Sequence, residues 1–283
     1  MDTTISYPQQ PRNAIKFVYS IRADEAAAMA QVHRRLPDGT LDLVFNLGAP
    51  TYSSRDGITY KRLPDVVLEG LYPDRNFVRY TGAVHLVVAV LQPGAAHLFV
   101  KDQLLFFREC AGDASLIWGR EVYTILDRLR ILTDTSQQHA IVEQFLVRQV
   151  RQMRQHADEK MLDRILHAVK QIDHQQGNID LPDLYRGIYM SERDFRRKFT
   201  EWVGMSPKQY AGIVRVKAFS KQYMMMMLPQ AAEPQKNRQT DLVTGLGYTD
   251  GSHFRRDFRK IAGVSPGDYF GQLGKMGKGF MEI

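Results

Sequence analysis

Along the first hundred residues the apolar positions fall in short runs. Leu41–Leu47 (LDLVFNL), Asp65–Leu68, Ala83–Leu91 (AVHLVVAVL) and His97–Val100 are rich in valine and leucine. Turn formers separate them, at Pro37-Asp38-Gly39, Gly48-Ala49-Pro50, Asp56-Gly57 and Pro93-Gly94. Runs of this length, punctuated in this way, predict β-strands in a small barrel or sandwich. The period then changes. Between Gln138 and His156, Ile141, Phe145, Val147, Val150 and Met153 recur mostly at helical spacing, with Arg148, Arg151 and Arg154 interleaved. This amphipathic helix either pairs with its copy in a dimer or packs on its own chain. From Asp158 the pattern is helical almost to the end. The chain therefore reads as α+β, with a β-rich N-terminal domain over 1–157 and an all-α C-terminal domain over 158–283. The boundary is expected near Gln155–Lys160.

The helical region contains a duplication. Phe195-Arg196-Arg197-Lys198-Phe199 recurs as Phe254-Arg255-Arg256-Asp257-Phe258, at an offset of 59 residues. Gly204-Met205-Ser206-Pro207-Lys208-Gln209-Tyr210 recurs at the same offset as Gly263-Val264-Ser265-Pro266-Gly267-Asp268-Tyr269. Two separate blocks sharing one offset argue for a repeated structural unit.

The faces of the two copies say what the unit presents. Ser191, with Asp194 three residues on, is a natural helix N-cap resembling a capping box, and Asp250 is the candidate cap of the second copy. At about 3.6 residues per turn, Phe195, Phe199 and Trp202 share one stripe and must face a core. Phe254, Phe258 and Ile261 do the same. Arg193, Arg196, Arg197 and Thr200 fall on the opposite face of the first helix, and Ser252, Arg255, Arg256 and Arg259 on that of the second. A charged outer face is ordinarily only a solvated one, but here one arginine pair occurs twice in equivalent positions. Leu181, Leu184 and Ile188 precede the first helix. Leu242, Leu246 and Tyr248 precede the second, with Gly247 as its turn residue. Helix, short turn, helix is the arrangement whose second helix enters the DNA major groove. Arginine suits that place, because its rigid fork bonds both acceptors on a guanine edge. Pro207 and Pro266 suit the first turn of the next helix in each copy, and such an N-terminus can receive a phosphate.

Charge agrees with this reading. From Met161 to Ile283 there are 19 Lys and Arg against 13 Asp and Glu, which accounts for six of the net seven positive charges. A basic domain favours a polyanionic partner, since neutralising phosphates releases counterions. The single cysteine, Cys110, excludes an intramolecular disulfide framework and is expected to be a buried, inert thiol. The start of the chain lacks the basic and apolar segments of a secretory signal, and no run is long enough to span a membrane, so a cytoplasmic protein is expected.

These residues resemble the AraC/XylS family of bacterial transcription regulators. The likeness covers roughly Met161–Gln272 and includes the helix between the motifs, with Arg215 and Ala218 as that family has them. It is most specific at Gly247-Tyr248-Thr249-Asp250-Gly251-Ser252-His253-Phe254-Arg255-Arg256-Asp257-Phe258-Arg259. The resemblance implies two helix-turn-helix motifs, about 180–202 and 239–262, held by a linker helix at about 207–228. It implies double-stranded DNA as partner, read by Arg193, Arg196, Arg197, Ser252, Arg255 and Arg256. The equivalent position 251 is a glycine without a side chain to read with. Ser206, Lys208, Ser265 and Arg259 are the candidate phosphate contacts. Activation, RNA polymerase contact and homodimer formation are further expectations. Tyr185 and Val243 depart from the family, which usually has alanine at both positions, and the polar stretch Pro229–Arg238 is long. The N-terminal region, through Leu36-Pro37-Asp38-Gly39-Thr40-Leu41-Asp42-Leu43-Val44-Phe45-Asn46-Leu47-Gly48 and Gln92-Pro93-Gly94-Ala95-Ala96, resembles the cupin-like sensory domains of such regulators. This implies a small-molecule effector.

The alternative is a cupin-like metal-dependent enzyme domain fused to a DNA-binding module. His33, His85, His97, Asp38 and Asp42 would be its raw material. A cupin metal site wants a His-x-His pair, which the sequence lacks, and neither a phosphate-binding glycine loop nor a nucleophile elbow occurs. The expectation is no enzyme, no metal and no cofactor. The Met224–Met227 run is expected in the core of the linker helix.

Overall fold

The computed structural model describes residues 2–8, 14–24, 33–72, 76–108, 110–154, 158–226 and 235–276. The expected boundary at 157/158 and the end of the expected linker helix, with much of the polar stretch Pro229–Arg238, fall wholly or partly outside the described residues.

The N-terminal strands form two open sheets. The first holds β1 (Asp2–Ser6), β2 (Ile15–Ala23), β9 (Val84–Leu91), β4 (Leu41–Asn46), β7 (Val66–Gly70) and β10 (Gly112–Asp113), in that order. The second holds β3 (His33–Arg35), β8 (Asn76–Tyr80), β5 (Thr51–Ser54) and β6 (Lys61–Arg62). The pairs within each sheet are antiparallel. The period of two sorts β4 cleanly. Leu41, Leu43 and Phe45 face the helices, while Val44 joins Tyr19, Ile21, Val67, Val78, Tyr80, Leu86, Val88 and Val90 in a separate core.

His97–Val100 is the one expected strand that forms otherwise. Ala96–Val100 is a helix, α1, continued by a 3-10 segment, Lys101–Arg108. A short run buried at Leu98, Phe99 and Val100 carries no period to separate strand from helix. The Pro93-Gly94 turn ahead of it, with Gly94 at φ +88°, sends the chain into a helical start. Helices α2 (Ser115–Trp118) and α3 (Glu121–Ile131) come next. Cys110 is half-buried rather than buried, its thiol directed at the Phe106 carbonyl at 3.6 Å.

Helix α4 (Thr135–Arg154) is the amphipathic helix of the sequence. It buries Val142, Phe145, Leu146 and Val150 within its own chain, and its His139 lies between the hydroxyls of Ser6 and Ser20, each at 2.8 Å. Among the described residues seven more helices complete the chain: α5 (Glu159–His174), α6 (Leu181–Gly187), α7 (Glu192–Val203), α8 (Pro207–Met226), α9 (Gln235–Gly245), α10 (Gly251–Ala262) and α11 (Pro266–Met276). One continuous apolar core runs from the helix-facing side of the first sheet through α4 and α5 to Phe195, Phe199, Phe254 and Phe258. The α7 helix leans on the N-terminal region, where the Trp202 ring lies 4.4 Å from that of His97 and Gly204 packs against Leu71 and Leu104. No helix among the described residues is long and apolar enough to cross a membrane.

Candidate nucleic-acid interface

The two helix pairs are built by the same local chemistry. In the first, α6 ends with Met190 N–H donating to the Tyr185 carbonyl and Tyr189 N–H to that of Arg186, both at 3.1 Å. In the second, Tyr248 N–H donates to Val243 and Gly247 N–H to Thr244, at 3.2 and 2.9 Å. This paired closure needs a left-handed residue, supplied by Gly247 at φ +76° and by Tyr189 at φ +54°. In the first helices and turns the two motifs therefore correspond at an offset of 58, one less than in the second helices. The second turn is longer by one residue, so the 59-residue repeat begins only beyond the turn.

Each second helix begins on the expected cap. Ser191 Oγ accepts from Asp194 N–H at 3.1 Å, and Asp250 Oδ1 accepts from Ser252 and His253 N–H at 2.7 and 2.8 Å. Gly204 and Gly263, both left-handed, stop the helices. Phe195, Phe199, Trp202, Phe254, Phe258 and Ile261 are all buried. Arg193, Arg196, Arg197, Ser252, Arg255, Arg256 and Arg259 are exposed, as is Lys208 at the start of α8.

Helix α8 ties the motifs together. Arg215 donates to the Gly177 carbonyl at 2.8 Å and lays its guanidinium over the Tyr248 ring at 5.0 Å. Phe219 packs on Phe254, with ring centres 4.1 Å apart. The methionine run departs from expectation. Met225 is exposed and Met226 only half-buried, and both line an open groove of about 660 Å³ with Gln222, Asp241, Leu242 and Leu246. The helix has already given its buried face to Ile213, Val216 and Phe219 one to three turns earlier. Met227 lies outside the described residues.

The serines have local work. Ser206 Oγ accepts from Gln209 N–H and donates to Gln209 Oε1, at 3.2 and 3.1 Å. Ser265 Oγ likewise accepts from Asp268 N–H and donates to Asp268 Oδ2, at 3.2 and 2.6 Å. Both hydroxyls are N-caps, of α8 and α11, and the Asp268 carboxylate adds a negative charge at the second of these helix starts.

In the N-terminal region two of the residues weighed for a metal, His85 and Asp42, have protein partners. Among the described residues no group of three or more His, Cys, Asp and Glu could hold a metal ion. His85 accepts from Arg22 Nε at 3.1 Å, and burial, reinforced by that guanidinium, keeps its pKa below the usual imidazole value. Asp42 and Glu69 stand directly opposite each other on β4 and β7. Arg35 reaches across from the second sheet and bonds both carboxylates. Burial, reinforced by Asp38 and opposed by Arg35, raises Asp42 to about 7. Glu69 Oε2 and Asn76 Nδ2, both buried, have no hydrogen-bond partner among the described residues. Sequence reasoning singled out Asp38 and Asp42 but not Arg35, Glu69 or Asn76, because their meeting depends on two sheets facing each other.

Two helix-turn-helix units joined by one long helix define the C-terminal region as a tandem helix-turn-helix domain. Residues 184–272 match the family described as a helix-turn-helix domain, and residues 8–108 match a domain of unknown function, DUF6597. The C-terminal region is an AraC-type helix-turn-helix domain. No curated protein matches the sequence. Among solved structures the chain is similar to ToxT from Vibrio cholerae O395, with 9% identity and a TM-score of 0.45, covering 96% of this chain and 98% of that one. It is also similar to unsaturated fatty acid-bound wild-type ToxT from Vibrio cholerae strain SCE256, with 11% identity and a TM-score of 0.44, covering 94% of each chain. At these values no residue is carried from one chain to the other.

Proposed function

We propose that this protein is a bacterial transcription regulator that reads two successive major-groove segments of double-stranded DNA with α7 and α10. The observation that carries the reading is the duplicated face: in both helices the aromatics are buried, and the same arginine pair points outward from a capped N-terminus. Arg193, Arg196, Arg197, Ser252, Arg255 and Arg256 are the base readers in this proposal. Lys208 and Arg259, with the helix starts at Ser206 and Ser265, are the phosphate contacts. RNA polymerase and a second copy of the chain are the protein partners such a regulator meets in the cytoplasm. It performs no catalysis.

The test is a gel-shift series on duplexes selected from a random library. Arg196→Ala and Arg255→Ala should each weaken the selected site by about 1–3 kcal/mol and relax one position of it. Unchanged affinity in both variants would overturn the reading.

The N-terminal region conveys the effector in the same proposal. The Arg35, Asp42, Glu69 and Asn76 cluster supports it, since each unpartnered buried polar atom costs about 1–3 kcal/mol that a bound molecule can recover. The path outward is short. Asp38 comes three residues after Arg35, lies within electrostatic reach of Lys217 on α8, and precedes Gly39, which touches Tyr210. A metabolite that raises the melting temperature of the full chain but not of Glu69→Gln supports this. A rise that is identical in both places the effector elsewhere.

A further inference from the structure

The two recognition helices are not equivalent in what they hold out. On α7, four cations, Arg193, Arg196, Arg197 and Lys198, stand with three carboxylates, Glu192, Asp194 and Glu201. On α10, Arg255, Arg256, Arg259 and Lys260 stand with Asp257 alone. The carboxylates of α7 are engaged. Arg197 pairs with Asp194 at 3.4 Å and Lys198 with Glu201 at 2.9 Å. No carboxylate among the described residues pairs with Arg255, Arg256 or Arg259.

The first residue of each helix differs most. Glu192 is exposed on its side chain to 46%, yet both its oxygens are held. Arg196 forms an ion pair with Oε1 at 2.5 Å, and the Tyr185 hydroxyl donates to Oε2 at 3.1 Å. A long acidic side chain on a helix surface would ordinarily sample many rotamers. Here two partners from different directions fix it, and each carboxylate oxygen retains further accepting capacity. The second motif has none of this apparatus. The positions equivalent to Tyr185, Glu192 and Arg196 are Val243, Gly251 and Arg255, and the Arg255 guanidinium folds over the bare backbone of Gly251. Tyr185 stands where the resembling family usually has alanine, so the apparatus belongs to this chain.

A fixed carboxylate at the leading end of a groove-entering helix is repelled by phosphates and by acceptor edges. The major-groove group it complements is an amino donor, and a carboxylate's usual pairing is with cytosine N4. We propose that Glu192 is a specificity-determining residue that accepts a hydrogen bond from the amino group of a cytosine, with Tyr185 as its positioning residue and the base-reading Arg196 paired beside it. This rests on the DNA-reading function proposed above. The first motif then contributes discrimination, and the less neutralised second motif contributes more of the sequence-independent attraction.

The experiment uses the full chain and duplexes selected from a random library, each then varied one base pair at a time. The wild type should prefer cytosine at one position of the segment read by α7, by about tenfold. Glu192→Ala should bring the four bases at that position within about twofold of each other, leaving unchanged the positions read by neither Glu192 nor its partner Arg196. Glu192→Gln should move the preference toward adenine, which an amide bonds through N6 and N7. Tyr185→Phe, which keeps the ring and removes the hydroxyl, should weaken the cytosine preference without lowering the melting temperature. Equal loss of affinity at every position in Glu192→Ala, or lost preference for a base other than cytosine, would overturn the assignment. If Arg255→Ala weakens binding while Glu192→Ala changes nothing, this inference alone fails. If the library yields no selected sequence, the DNA-reading function fails with it.

Discussion

The ring of Tyr210, at the start of α8, lies so close to Gly39 that a Cβ at position 39 would stand 2.7 Å from its Cε2. Gly39 is also left-handed, at φ +73°. Tyr210 in turn donates from its hydroxyl to Asp173 on α5 at 2.8 Å. A turn of the β-rich region and the helix linking the two motifs are thus in contact with no spare volume between them.

Gly39→Ala should destabilise the chain by at least about 2 kcal/mol, from the left-handed backbone and the steric overlap together. Adding Tyr210→Ala relieves the overlap but not the backbone cost, so a double-mutant cycle in urea should show a coupling of about 1 kcal/mol or more. Additive effects would show that the two residues do not press on each other.

Asp42 sets a pH dependence with a definite sign. Its folded pKa, raised by burial and by Asp38 against the pull of Arg35, is about 7, above the unfolded carboxylate value. The folded state therefore binds the extra proton, so the stabilisation from this group is complete at low pH and is lost as pH rises through about 7. Melting curves between pH 5 and 8 should diverge from those of Asp42→Asn, the wild type losing stability relative to the variant as pH rises. Parallel profiles would remove Asp42 as the cause.

Trp202 is 4% exposed and carries the contact between α7 and His97. Trp202→Ala should cost about 3–5 kcal/mol. The milder His97→Ala keeps the core of the motif and loosens its seat on the N-terminal region. Differential scanning calorimetry should then show a lower or broader transition, and an unaltered one would mean that the seat contributes nothing.

Salt dependence should separate the arginines. A cation that neutralises a phosphate contributes about 0.9 to the slope of log affinity against log salt. Arg259→Ala, which removes a cation with no carboxylate partner among the described residues, should reduce the slope by about that amount. Arg197→Ala should reduce it less, because Asp194 and Glu201 already offset that charge at 3.4 and 3.9 Å. Equal reductions would argue that the intrahelical pairs open on DNA.

The sequence by itself determined the two arginine-bearing helices, their caps at Ser191 and Asp250, and the amphipathic α4. All of these arise from interactions within one or two turns, where periodicity and capping chemistry are local. The strand β4 likewise showed as a short run rich in valine and leucine, bounded by turn formers. Only the tertiary structure decided that His97–Val100 is helical, that Met225 is exposed, and that the second turn is longer by one residue than the first. It alone brought Arg35 to Asp42 and Glu69, Tyr210 to Gly39, and Tyr185 to Glu192. The first of these meetings joins two sheets, the second joins a turn of the β-rich region to a distant helix, and the third crosses a turn whose left-handed residue is a tyrosine. No pattern along the chain encodes such contacts, because they depend on where separately formed elements come to rest.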